Sequence, residues 1–168
     1  MSSETPEDKK RVEEALKDSA KLKELVEALS DGSRRGRQQA AKVIAGVAAE
    51  NPEILVPFAS DLVDALERPE AQTRWECLDA LTYVVPFDSR PCDKAIPGAE
   101  AALFDEDSGP LRLAAMRFLC KLGATTEKRS EKYGLSSTRA SSAITAIWNS
   151  RICFWRSSTS PRGSWAGL

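Results

Sequence analysis

Apolar residues recur three or four positions apart between Arg74 and Val85, where Trp75, Leu78, Leu81, Val84 and Val85 share one face of an α-helix. Two other runs carry the same pattern. Arg37 is followed at three, four, seven and ten positions by Ala40, Ala41, Ile44 and Val47. Arg74 is followed at those offsets by Cys77, Leu78, Leu81 and Val84, and Arg112 by Ala115, Met116, Leu119 and Leu122. Arg37, Arg74 and Arg112 are spaced almost evenly along the chain. A fixed period of roughly 20 to 50 residues predicts stacked units, because one pair of amphipathic helices cannot bury its stripe alone.

The flanking residues divide the chain accordingly. Residues 1–21 form a polar N-terminal segment and a capping helix, opened by Thr5-Pro6-Glu7-Asp8: a hydroxyl cap, a proline suited to the first turn, and acids facing the positive end of the helix dipole. Val12, Ala15 and Leu16 give this helix a narrow stripe. The phase shifts at Asp18-Ser19, where Ser19 is a candidate cap for a second helix carrying Leu22, Leu25, Val26 and Leu29; one bent helix and two separate helices both fit. Residues 22–123 hold three repeats, at 22–49, 53–85 and 93–122. Ser33 and Ser108 each stand four before an arginine and are predicted to cap the second helix of their pairs. In the second repeat a helix is predicted over 53–66 with Pro57 near its start, and Arg68-Pro69-Glu70 makes the turn. In the third, the first helix is predicted over 93–104 and the second over 111–122. Leu29, Leu66 and Leu103 end the first helices eight or nine positions before the arginines.

Charge sharpens the division. The chain of 168 residues has a formal charge of −1, yet residues 135–168 contain four arginines, no lysine and no acid. Residues 1–134 therefore carry a net charge of −5, which argues against a phosphate-backbone binder. Cysteines 77, 92, 120 and 153 lack Cys-x-x-Cys spacing, and the chain has no histidine, so no metal and no cofactor is expected. Cys77 and Cys120 fall on apolar faces, the place of small buried hydrophobes. With no run of 18 or more apolar residues and no basic-then-apolar leader, the expected setting is cytoplasmic and reducing, with no membrane partner.

The turn aspartates Asp31 and Asp105, the helix arginines Arg37, Arg74 and Arg112, and the small residues three later (Ala40, Cys77, Ala115) resemble the HEAT-repeat, armadillo-like family over residues 22–123. The resemblance implies an all-α right-handed superhelix of helix pairs, with a ladder of hydrogen bonds between turn aspartates and helix arginines. It implies a curved scaffold whose concave face, lined by second helices, holds a protein or peptide. The second repeat departs from the pattern: Glu67-Arg68 replaces the turn aspartate, so the ladder is expected to weaken there.

Chemistry is thinly represented. The absence of histidine removes the commonest general base, no glycine-rich phosphate loop is present, and Glu13, Glu14, Glu24 and Glu27 lie beside Lys17, Lys21 and Lys23 as ordinary helix salt pairs. No enzyme is expected. Two candidate binding features remain. Arg34, Arg35 and Arg37 cluster at a helix N-terminus, which favours anions, so a phosphate or acidic peptide could dock there, although a solvated turn is the simpler explanation. Trp75 and Asp79 lie one turn apart and resemble the aromatic-plus-acid pair of HEAT-like DNA glycosylases that excise alkylated bases. That family's further aromatics and basic groove are missing, and packing between repeats is the simpler role for Trp75.

After Gly123, residues 124–134 begin a fourth repeat, and then the composition changes. Residues 135–168 hold twelve Ser or Thr and three of the four tryptophans, Trp148, Trp155 and Trp165. Such aromatic content is foreign to a disordered tail. Reading across codon junctions from the third base converts the stretch into the idiom of the preceding chain. Ile147–Trp148 gives Leu or Met, Trp148–Asn149 gives Glu, Ile152–Cys153 gives Leu or Met, Cys153–Phe154 gives Phe or Leu, Phe154–Trp155 gives Leu, and Trp155–Arg156 gives Ala or Glu. Reading from the second base forces glycine at Trp148–Asn149 and Trp155–Arg156, a poorer helix. The segment from about Tyr133 onward is accordingly expected to be a frameshifted product. The competing expectation is a genuine closing helix, capped by Ser142, with Ala143, Ile144, Ile147, Trp148, Arg151, Ile152 and Trp155 on one face.

Overall fold

The structure, a computed structural model, describes residues 5–125. Among these residues the elements are helical throughout: α1 Pro6–Lys17, α2 Ser19–Ala28, α3 Arg34–Glu50, α4 Ala59–Asp64, α5 Ala71–Val84, α6 Ile96–Leu103 and α7 Gly109–Gly123. Short 3-10 segments span Pro52–Phe58, Ala65–Glu67 and Pro91–Ala95. The expected fourth repeat, the frameshift and the competing closing helix all concern residues outside the described ones.

The caps explain where the helices begin. Thr5 and Asp8 form a reciprocal box: the Thr5 hydroxyl accepts from the Asp8 amide at 3.2 Å while the Asp8 carboxylate accepts from the Thr5 amide at 3.0 Å. The bent-helix alternative is resolved in favour of two helices. Asp18, extended at φ −128° and ψ 107°, ends α1 and caps α2 by accepting from the Ala20 amide at 2.9 Å. The cap is thus Asp18 and not Ser19, which becomes the first residue of α2. Ser33 and Ser108 cap α3 and α7 as their spacing predicts, accepting at 3.3 Å from the amides of Gly36 and Leu111.

Proline decides the shape of the first helices. The helix predicted over 53–66 is broken: Pro52–Phe58 is a 3-10 stretch containing Pro57, and α4 begins only at Ala59. Likewise the helix predicted over 93–104 divides into the 3-10 segment Pro91–Ala95 and α6. A proline ring crowds the carbonyl four positions back and offers no amide, so the chain takes the tighter turn briefly before regular helix resumes.

Packing follows the period marked by Arg37, Arg74 and Arg112. Helix α3 packs against α5, α5 packs against α7, and α1 also packs on α3. Helices α2, α4 and α6 each lie against the helix that follows, α3, α5 and α7 respectively. The equivalent stripe residues Ala41, Ile44, Val47, Cys77, Leu81, Val84, Ala115 and Leu122 are wholly buried, and Leu29, Leu66 and Leu103 are buried with them. Each large aliphatic side chain so placed contributes about 1.5 to 3 kcal/mol of burial, which makes the stripes the main source of cohesion. Gly46 sets the approach of α1: a Cβ there would stand 2.7 Å from Cγ2 of Val12. One expectation fails, since Cys120 is exposed although its spacing placed it on an apolar face. Among the described residues no helix is long and apolar enough to cross a membrane.

Candidate functional site

The arginines of the three second helices turn away from solvent and toward the turns. Arg37 binds Glu70 with two nitrogens, Nε at 3.3 Å and Nη2 closer still, while its Nη1 donates to the Asp31 carbonyl at 2.6 Å. Arg74 reaches Asp105 at 3.8 Å. Arg112 is buried and donates to the backbone carbonyls of Asp105 and Glu106. A plan emerges. Arg37 and Arg112 each hold a carbonyl of the turn before their own helix, and Arg37 and Arg74 each take an acid from the next turn along the chain.

Asp105 ties the third turn together. Its Oδ1 accepts from the amides of Asp107 at 3.1 Å and Ser108 at 2.8 Å, and its Oδ2 faces Arg74. Asp31 contributes its carbonyl to Arg37.

The second turn corrects the expectation from sequence. The ladder does not weaken there, because Glu70 supplies the acid that Glu67-Arg68 lacks. Glu70 occupies the cap position of α5 yet makes no side-chain cap bond, its carboxylate being committed to Arg37. That guanidinium holds the Glu70 carboxyl below its usual range, against the opposing pull of burial. The signal was present in the sequence: Glu70 stands four before Arg74, the slot filled by Ser33 and Ser108.

A comparable contact fastens α1. Asp8 is buried, accepts from Lys42 Nζ at 2.7 Å and from the Gln39 amide group, and is held well below the usual carboxylate range, chiefly by Lys42. Asp8 was legible only as a helix-start acid. Its distant partner on α3 carried no local mark.

Of the basic cluster, Arg34 and Arg35 are exposed in the first turn of α3, whereas Arg37 is engaged with Glu70 and Asp31. The structure therefore does not assemble three guanidinium groups for one anion. Arg74 and Arg112 are similarly committed within the stack.

Trp75 and Asp79 are both partly exposed on α5, and Trp75 packs against the core. Tyr83, which the apolar period does not single out, continues their line at the same four-position step and is 47% exposed. On the adjacent α7, Leu113 is 42% exposed, one position past Arg112 just as Trp75 is one past Arg74. Burial pushes the Asp79 carboxyl above its ordinary value, and the nearby Arg117 only partly offsets this. Asp79 is thus a poorly solvated carboxylate on α5, one turn from Trp75 on one side and from Tyr83 on the other. Among the described residues no cluster of His, Cys, Asp and Glu could hold a metal ion.

Neither the family models, nor the curated proteins, nor the solved structures contain a match to this chain.

Proposed function

We propose that the protein is a non-enzymatic scaffold of HEAT type, a right-handed superhelix of helix pairs that binds another protein or peptide across its second helices α3, α5 and α7. The observation that carries this reading is the Trp75–Asp79–Tyr83 line on α5 together with Leu113 on α7, the helix packed against it: Tyr83 and Leu113 remain exposed while the ladder arginines are consumed internally. Exposed aromatic surface next to one desolvated acid is the composition of a peptide-recognition patch.

A photo-crosslinking residue placed at Tyr83 or Leu113, used in the cell that makes the protein, tests it. Adducts with one discrete polypeptide are expected from both positions and none from Phe104, which is 58% exposed next to α6. Equal adducts from all three positions, or none from Tyr83 and Leu113, would refute the reading. The Trp75 and Asp79 pair also supports a second reading, a DNA-directed protein of the alkylation-repair type. Retention of duplex DNA at low salt that is lost on Trp75→Ala would replace the scaffold with that reading.

A further inference from the structure

Trp75, Asp79 and Tyr83 follow one another at steps of four along α5, which sets them on one line of the helix with about 5 to 6 Å between neighbouring Cβ atoms. The acid stands in the middle. Trp75 and Asp79 are half-buried and Tyr83 is 47% exposed, so all three retain access to solvent. Among the described residues no hydrogen bond or ion pair engages the Asp79 carboxylate, and Arg117, exposed on α7, acts on it through space only. Other acids of the stack are committed: Glu70 and Asp105 face Arg37 and Arg74, and Asp8 is held by Lys42.

This placement constrains what can cover the line. A partner that touches both aromatic rings must pass over Asp79 and strip its remaining water. Burying an ionised carboxylate without a counter-group is strongly unfavourable, so an apolar occupant is disfavoured and an acidic one is repelled. A cation is favoured twice, by the carboxylate and by the quadrupoles of the two rings. Among cations, a guanidinium group is planar and weakly hydrated, stacks on aromatic rings and donates two parallel bonds to a carboxylate. The lysine ammonium is more strongly hydrated and acts as a point charge. The net charge of −5 over residues 1–134 favours the same sign of partner.

We propose that the Trp75–Asp79–Tyr83 line of α5 is a subsite for an arginine side chain of a partner polypeptide, its guanidinium group paired with the Asp79 carboxylate between the two rings. The inference rests on the scaffold reading and adds the chemistry of the residue that the scaffold holds. Arg117 is the internal cation with which the incoming arginine competes.

Retention of short peptide pools by the immobilised full chain tests this, with the central residue fixed as arginine, lysine, glutamine or glutamate and the other positions randomised. The arginine pool should be retained about tenfold more than the glutamine pool, with lysine between them. Asp79→Asn should bring the arginine and glutamine pools to parity, Tyr83→Ala should lower the preference about threefold, and Arg117→Gln should raise it. Thermal unfolding of each variant checks that it is folded. Equal retention of arginine and glutamine, lysine retained as well as arginine, or an arginine preference that survives Asp79→Asn would overturn the proposal. So would a preference for the glutamate pool that is lost on Arg117→Gln, the mark of an acidic partner. The scaffold reading fails separately: crosslinked adducts from Tyr83 and Leu113 without an arginine preference keep the scaffold and remove the subsite, whereas absence of those adducts removes both.

Discussion

Replacing Glu70 by alanine tests the ladder where it is strongest. The Arg37 and Glu70 side chains are 11% and 5% exposed and share two N–H···O contacts, whereas those of Arg74 and Asp105 are 20% and 25% exposed and stand 3.8 Å apart. Removing one partner of a buried, hydrogen-bonded pair costs about 3 to 5 kcal/mol, because the surviving charge stays buried without compensation. Arg37 keeps its bond to the Asp31 carbonyl, so the low end of that range, about 3 kcal/mol, is expected for Glu70→Ala. No helix cap is lost with it, since the Glu70 side chain caps nothing.

The measurement is urea unfolding of the wild type, Glu70→Ala, Arg37→Ala and the double variant. The single loss should move the midpoint by about 1.5 M at an ordinary denaturant slope. The coupling between the two positions should be about 2 kcal/mol. Arg74→Ala, by contrast, should cost no more than about 1 kcal/mol, the worth of a loose, part-exposed pair. The pH dependence carries a sign. Glu70 has a depressed pKa in the folded protein, so its contribution is present above the unfolded value of about 4.3 and disappears as the pH falls through the folded one. The gap between wild type and Glu70→Ala should therefore narrow in acid and stay constant above about pH 6. A cost for Glu70→Ala below about 1 kcal/mol at pH 7, or coupling near zero, would refute the structural role of the rung.

Three other outcomes are expected. Thr73 is wholly buried and its hydroxyl has no partner among the described residues, so Thr73→Val should raise stability by about 1 kcal/mol in the same urea assay. Gly46→Ala should lower stability by about 1 to 2 kcal/mol despite alanine's better helix propensity, and Val12→Ala in the same chain should recover part of the loss by removing the 2.7 Å collision. Burial pushes the Cys77 thiol up to about 12, so iodoacetamide at pH 8 should modify exposed Cys120 in the native protein and reach Cys77 only on unfolding, as peptide mapping would show.

The sequence made the second helices legible because each is a long stripe with one period, and Ser33 and Ser108 marked two of their starts by local chemistry. The first helices were misjudged because the apolar spacing through Pro57 and Pro97 is helical while the backbone there is short of amides; the 3-10 segments record which effect prevailed. Glu70 was missed for another reason. Its partner lies one full repeat away, and looking for an aspartate in the turn obscured that a longer acid at the cap position reaches the same arginine. Cys120 shows that a helical period gives a face but not the width of the contact covering it.

Of the candidate residues, those whose chemistry was most suggestive are the least available. Arg37 and Arg112 are bound into turns, and Arg74 faces Asp105. What remains on α5 is the reverse case, a carboxylate that no rung requires. Burial raises the Asp79 pKa, so ionising this group costs more in the folded protein than in the unfolded one; the loss of stability builds up as the pH rises from the unfolded value to the folded one and is constant above it. Asparagine at this position would fill the same space without that cost. A charge held at a structural disadvantage between Trp75 and Tyr83 fits the proposed binding role better than a role in folding, so substitutions at Asp79, rather than in the arginine ladder, are the ones that test that proposal.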